Sequence, residues 1–152
     1  MLAISFYDVV LWVHITAVVV AFGGVFTYPL WFAHVARAPA ATRAGFHRGQ
    51  AKVGKYVISP GLLVVLLAGA YLATDRDLWS EVWVTVPLVI LIVLGGLGGA
   101  YFGPREERLA ELAEAGDDTA YRPLFAQVRA VRYIAMALVV VAIFFMVTKL
   151  GA

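Results

Sequence analysis

The sequence predicts an all-α fold: an integral membrane four-helix bundle with both termini outside and two basic loops in the cytoplasm. Three observations predict it. Hydrophobic residues make up 62% of the 152 and charged residues 14%, against about 45–50% and about 25% in an ordinary soluble domain. Four stretches carry no Asp, Glu, Lys or Arg: 9–33, 56–74, 82–104 and 133–148. The basic residues cluster between those stretches. Arg37, Arg43, Arg48, Lys52 and Lys55 follow the first, and Arg105, Arg108, Arg122, Arg129 and Arg132 follow the third. That leaves only Arg76 and Lys149 for the other side, so the basic side is read as cytoplasmic.

Each helix follows from its own run. A spanning helix needs about 20 apolar residues, and the pattern places helices at about 4–34, 53–74, 80–103 and 123–150 within one domain of residues 1–152. The first run lacks a basic leading segment and is longer than the apolar part of a signal peptide, so it is expected to stay as helix 1. Helix 4 has the shortest run and needs Arg132 and Lys149 to snorkel toward the headgroups. Its start is expected near Pro123, because proline suits a first turn. Between helices 3 and 4, Leu109 and Leu112 recur at helical spacing among charges that read as a solvated face. The first basic loop is expected to lie on the membrane surface, against anionic lipid. Ten basic residues at a membrane face need no nucleic acid to explain them. No Cys is present, which removes disulfides and thiolate metal sites.

Close helix packing is expected where glycines repeat. Gly95, Gly99 and Gly103 make two small-xxx-small steps in helix 3, a face that should meet another helix or a flat ligand. Such a face could equally serve a homo-oligomer or a larger membrane partner.

One ionisable residue falls within a helix core. His14 shares a face with Ala17, Ala21, Gly24 and Tyr28, which points it into the bundle rather than into lipid. An imidazole there can ligate haem or another metal, relay protons, or bond across the bundle to Thr85 or a backbone carbonyl. His34 and His47 are assigned to the end of helix 1 and to the first loop. Lys149 lies in the same leaflet as His14, so it is a candidate second iron ligand. Asp8 marks the membrane boundary.

The ordering LWVHITAVVVAFGGVFTYPLWFAHVAR resembles helix 1 of small bacterial membrane proteins. Its features are His14, Gly23-Gly24, and an exit through Phe32 and His34. Together with KYVISPGLLVVLLAGAYL and the Arg132 to Lys149 frame, it resembles an uncharacterised family of predicted bacterial four-helix integral membrane proteins. More distantly it is similar to the four-helix bacterial protoporphyrinogen oxidase and the copper-resistance D-type membrane domain. The oxidase resemblance implies haem b, held by His14 and Lys149, in a bacterial inner membrane. The chain departs from that family at Tyr133-Ile134-Ala135 and at GGLGGAYFG, so haem binding is implied more directly than the oxidase reaction. Gly24, Gly95 and Gly99 are then expected to admit the flat macrocycle. Three Met and no Cys give copper few ligands.

The leading expectation is a haem-b redox protein that passes electrons to or from a quinone or porphyrin. A non-enzymatic subunit or scaffold with a packing His14 is the first alternative. A small permease or proton-coupled carrier is the second, weakened because His14 is the sole ionisable residue expected in the four cores.

Overall fold

In the computed structural model, which describes residues 4–151, four long helices account for most of the chain. They are α1 (Phe6–Val35), α2 (Ala40–Asp75), α3 (Val82–Glu114) and α4 (Asp118–Thr148). All are long and apolar enough to cross a membrane. They run 30, 36, 33 and 31 residues, which at 1.5 Å per residue is about 45 to 54 Å. A bilayer core is about 30 Å thick, so each helix extends well beyond it. The most apolar windows bury only 11 to 28% of their residues inside the protein. Trp12, Leu30, Ile92 and Val147 are among the large apolar side chains facing outward, which suits lipid and not water.

Local chemistry sets the ends. Ser5 and Asp8 cap α1 reciprocally: Ser5 Oγ accepts from the Asp8 amide, and Asp8 accepts from the Ser5 amide at 3.0 Å. Asp8 is thus part of the cap of α1. The Asp117 side chain caps α4 by accepting from the Ala120 amide, so the helix begins at Asp118 and not near Pro123. Pro123 therefore lies inside the helix, past its first turn, and one bond of the backbone ladder is lost there. The first loop is a helix as well, Ala40–Val53, continuous with α2 and packed on the Gly103–Glu114 end of α3.

The bundle has two unlike halves. In the terminal half, α1 packs on α2 and α3 on α4. The tight approaches of α1 and α2 come from α2's glycines. A Cβ on Gly61 would stand 3.0 Å from the Ala21 Cβ, and one on Gly69 would stand 3.0 Å from the His14 ring. The glycines of α3 do not play that part. A Cβ on Gly95 or Gly99 would meet nothing within 4 Å among the described residues. Within the single chain that face therefore meets no other helix, which leaves it to a flat ligand or a second copy.

In the basic half the extensions make a core of the soluble kind. Phe32, Val35, His47, Glu106, Leu109 and Val128 are the most deeply buried large side chains of the protein, and all lie here. Aromatic rings of Phe32, Phe46, Tyr121 and Phe125 pack edge-to-face or stacked around them.

Candidate functional site

Where the two halves meet, three helices leave regular α geometry. α1 tightens to a 3₁₀ turn at Gly23–Thr27, and α2 and α3 widen to π turns at Gly54–Ile58 and Leu97–Phe102. Irregular backbone at membrane depth is tolerated where it lines a cavity, and π turns inside α-helices gather at functional sites. A cavity of about 340 Å³ lies there. Its walls include Phe22 and Val25 of α1, Ile58 and Leu62 of α2, Leu94, Gly98, Gly99 and Phe102 of α3, and Val139 of α4. Glu106 and Arg132 also line it, while Gln50, Lys55 and Glu107 add further polar groups.

A buried polar network begins at that cavity. Arg132 donates from one terminal nitrogen to Glu106 Oε1 at 2.7 Å and from the other to the Tyr28 hydroxyl at 2.9 Å. The second Glu106 oxygen lies 2.6 Å from His47 Nδ1, and His47 Nε2 lies 2.8 Å from the Tyr121 hydroxyl. Glu106 is 1% exposed and His47 fully buried. The Arg132 guanidinium also covers the rings of Phe102 and Tyr28 at 4.1 and 4.5 Å. Beyond Tyr121, Arg43 stacks on its ring at 4.7 Å and pairs with Asp118 at 2.8 Å, near the surface.

Tyr121 lies before the apolar run of α4. Burial pushes its phenol up to about 12, with Arg43 pulling the other way. The hydroxyl therefore keeps its proton. It lies within hydrogen-bond reach of His47 Nε2, and a Glu106 oxygen lies at Nδ1 on the other side of the ring. Each member of the chain holds the next in place. Two guanidinium donors are left over: Arg132 Nε and Arg43 Nε are buried and have no partner among the described residues.

The family model described as "Predicted integral membrane protein (DUF2269)" matches residues 8–150. The chain belongs to that family. No curated protein and no solved structure matches it, so the comparisons give no link to protoporphyrinogen oxidase or to the copper-resistance domain. The protein is an integral membrane protein in contact with a lipid bilayer, as the family description states, and its four long apolar helices make it multi-pass.

In this DUF2269 member the five residues expected to hold a cofactor do not gather. His14 Nδ1 lies 3.1 Å from the Val65 carbonyl oxygen, on the α1–α2 seam. The backbone carbonyl, and not Thr85, is its partner. Lys149 is exposed, in the left-handed conformation that ends α4, with its ammonium 5.3 Å from the Trp83 ring. Gly24 and Gly95 are exposed and border neither His14 nor the cavity, whereas Gly99 opens onto the cavity. Among the described residues no three His, Cys, Asp or Glu side chains group as a metal site.

Three expectations need correction. Arg132 does not snorkel to headgroups; it turns inward to Glu106. His47 is not a loop residue but the centre of the buried network. The charges of 105–132 are not all a solvated face, since Glu106 and Arg132 are buried. His14 is thus not the sole ionisable group buried in the protein, and Glu106 and Arg132 lie just outside the charge-free runs of α3 and α4.

The signal for these residues was present. Glu106 lies in register with the buried Phe102, Leu109 and Ala113, and Arg132 with Phe125, Val128, Ala135 and Val139. Those steps of three and four residues mark one helix face.

Proposed function

We propose that this protein binds a membrane-soluble ligand in the cavity beside Glu106 and Arg132. The cavity itself carries the reading: it is about 340 Å³, walled mostly by apolar side chains, with the Tyr28 hydroxyl and the Glu106–Arg132 pair at one end. The three backbone irregularities around the cavity support the same site. The positive-inside rule places the basic end in the cytoplasm, which in a bacterial cell makes this a cytoplasmic-membrane protein with its cavity toward the inner leaflet. The exposed Arg37, Lys52, Lys55 and Arg129 there suit anionic lipid headgroups.

The test is extraction of detergent-purified protein followed by mass spectrometry. The expected result is a lipid-soluble compound at near one per chain that is depleted in Gly99→Leu, a change that fills the cavity and spares the polar network. Equal retention by both proteins would overturn the reading. If the bound compound is carried across the membrane, vesicle uptake that fails in Gly99→Leu would make the protein a carrier.

A second reading has its own support, in His14. An imidazole whose Nδ1–H donates to a carbonyl keeps the Nε2 lone pair for a metal, which is how haem histidines are commonly held. His14 fits as one axial ligand of haem b. Lys149, Gly24, Gly95 and Gly99 do not converge on it, so none of these expected partners stands opposite. Bound haem would supply one-electron transfer, making the protein a redox component, and His14 would hold the iron and be oriented by Val65. A reduced-minus-oxidised spectrum with α and β bands that His14→Ala abolishes is the expected result. A colourless preparation after haem is added back would overturn it, and His14 would then be the packing residue of a scaffold.

A further inference from the structure

The cavity has a mouth and a floor. Among its lining residues Lys55, Ser59, Gly99 and Glu107 are exposed, and all four belong to α2 and α3. Tyr28, Leu62, Leu94, Ala135 and Val139 are buried at its back. The mouth is therefore a slot between α2 and α3, where both helices widen into π turns. Its height in the membrane follows from the sequence. Ser59 and Gly99 fall in the charge-free runs 56–74 and 82–104, so one end of the slot faces lipid tails. Lys55 and Glu107 lie just beyond those runs, so the other end faces the headgroups of the basic side. The cavity opens sideways into one leaflet.

Shape narrows the ligand. From Gln50 to Leu62 the cavity follows α2 for about 18 Å, and from Leu94 to Glu107 it follows α3 for about 20 Å. With a volume of about 340 Å³ it is long and narrow. A flexible chain laid along the bundle axis fits that form better than a broad ring system. The deep end is apolar, with Phe22, Leu62, Leu94 and Val139. An apolar void left empty forfeits the dispersion contacts of its walls, and a chain from the adjoining leaflet restores them.

The buried polar end has nothing to offer a charged headgroup. Both Glu106 oxygens are taken, by His47 and Arg132, and Arg132 Nε is covered by protein. An unpaired charge there would be costly, so the headgroup stays at the mouth. Exposed Lys55 stands at that level and can meet a phosphate. Exposed Glu107 on the other lip keeps the mouth from being strongly cationic, so the chain and not the headgroup charge sets the binding.

We infer that the cavity holds one acyl chain of a glycerophospholipid from the basic-side leaflet, inserted through the slot between the two π turns with its phosphate outside, beside Lys55. This rests on the cavity being a ligand site.

The experiment adds dipalmitoyl phosphatidylglycerol or dipalmitoyl phosphatidylethanolamine, one at a time, to delipidated full-length protein in detergent, and counts retained lipid by native mass spectrometry. Each is expected at one per chain, with affinities within about fivefold of one another, because exposed charges contribute little. Gly98→Leu and Gly99→Leu put a side chain into the cavity wall, where a Cβ meets nothing within 4 Å among the described residues. Each should weaken retention by about tenfold or more, while the ligand-free thermal midpoint stays near that of the parent protein. Gly95→Leu, on the same helix but outside the cavity, should leave retention unchanged. Equal loss in Gly95→Leu would mean that the lipid only coats α3, and would overturn the inference. Retention unchanged in both Gly98→Leu and Gly99→Leu overturns it as well. No phospholipid retained, with another extracted compound lost in Gly99→Leu, overturns the acyl chain and leaves the cavity site standing. No compound sensitive to Gly99→Leu overturns the two together.

Discussion

His14 and His47 sit in opposite halves of the same bundle and are held in opposite ways. His14 lies on a seam of small residues, half-buried, with one contact to a backbone carbonyl that α2's own ladder already uses. His47 is fully buried, bonded at both nitrogens, and surrounded by Phe46, Tyr121 and Phe125. The contrast reflects the two solvents. Among lipid tails there is no hydrophobic drive between helices, so close backbone approach at Gly61 and Gly69 joins α1 to α2. Beyond the tails the helix extensions meet water, and they bury an apolar face as a soluble domain does. A charged network can sit in that core because nearly every member is paired.

The largest effect that would separate the halves is at the ion pair. Removing one partner of a buried pair leaves the other charge uncompensated, at about 3–5 kcal/mol. Glu106→Leu and Arg132→Met should each lower the unfolding midpoint in detergent sharply. The double variant Glu106→Leu/Arg132→Met should recover much of the loss, because no lone charge remains. Full additivity of the two losses would show that the pair is not coupled.

The histidines give the next test. His47→Leu strands Glu106 Oε2 and the Tyr121 hydroxyl in the core, each at about 1–3 kcal/mol. His14→Leu removes one hydrogen bond and strands nothing, so it should cost about 0.5–1.5 kcal/mol. A midpoint that falls further for His14→Leu than for His47→Leu would reverse the comparison. It would also move the structural centre of the protein to the terminal half.

The terminal half was the more legible in sequence. Four charge-free runs gave four helices, since in lipid every backbone group must be satisfied within the helix. The basic half was read from its charges, and there charge misleads. Arg132 looked like a boundary residue because it borders an apolar run. Its register with Val128, Ala135 and Val139 says otherwise, because periodicity reports which face a residue occupies and charge does not. His47 was harder to find. It shares a face with Ala44 in a segment otherwise rich in Arg and Gly, and only contact with α3 and α4 buries it. The cavity could not be read at all, because it depends on π turns in two helices at the same depth.

The glycines make the finest test, and it bears on what the glycine face of α3 meets. Gly61 faces Ala21 at a distance that leaves no room for a methyl group, and Ala21 is fixed in α1. Gly61→Ala must part the helices, and overpacking should outweigh the helix-propensity gain by about 1 kcal/mol. Gly95→Ala has open space on its face of α3, so only the propensity term remains. It should stabilise by about 0.5–1 kcal/mol. The pair of variants therefore moves the midpoint in opposite directions if α3's ladder packs nothing. A loss at Gly95→Ala would mean that a surface open in the single chain is closed in the membrane, and the second copy that closes it would show as a dimer in cross-linking that the same substitution weakens.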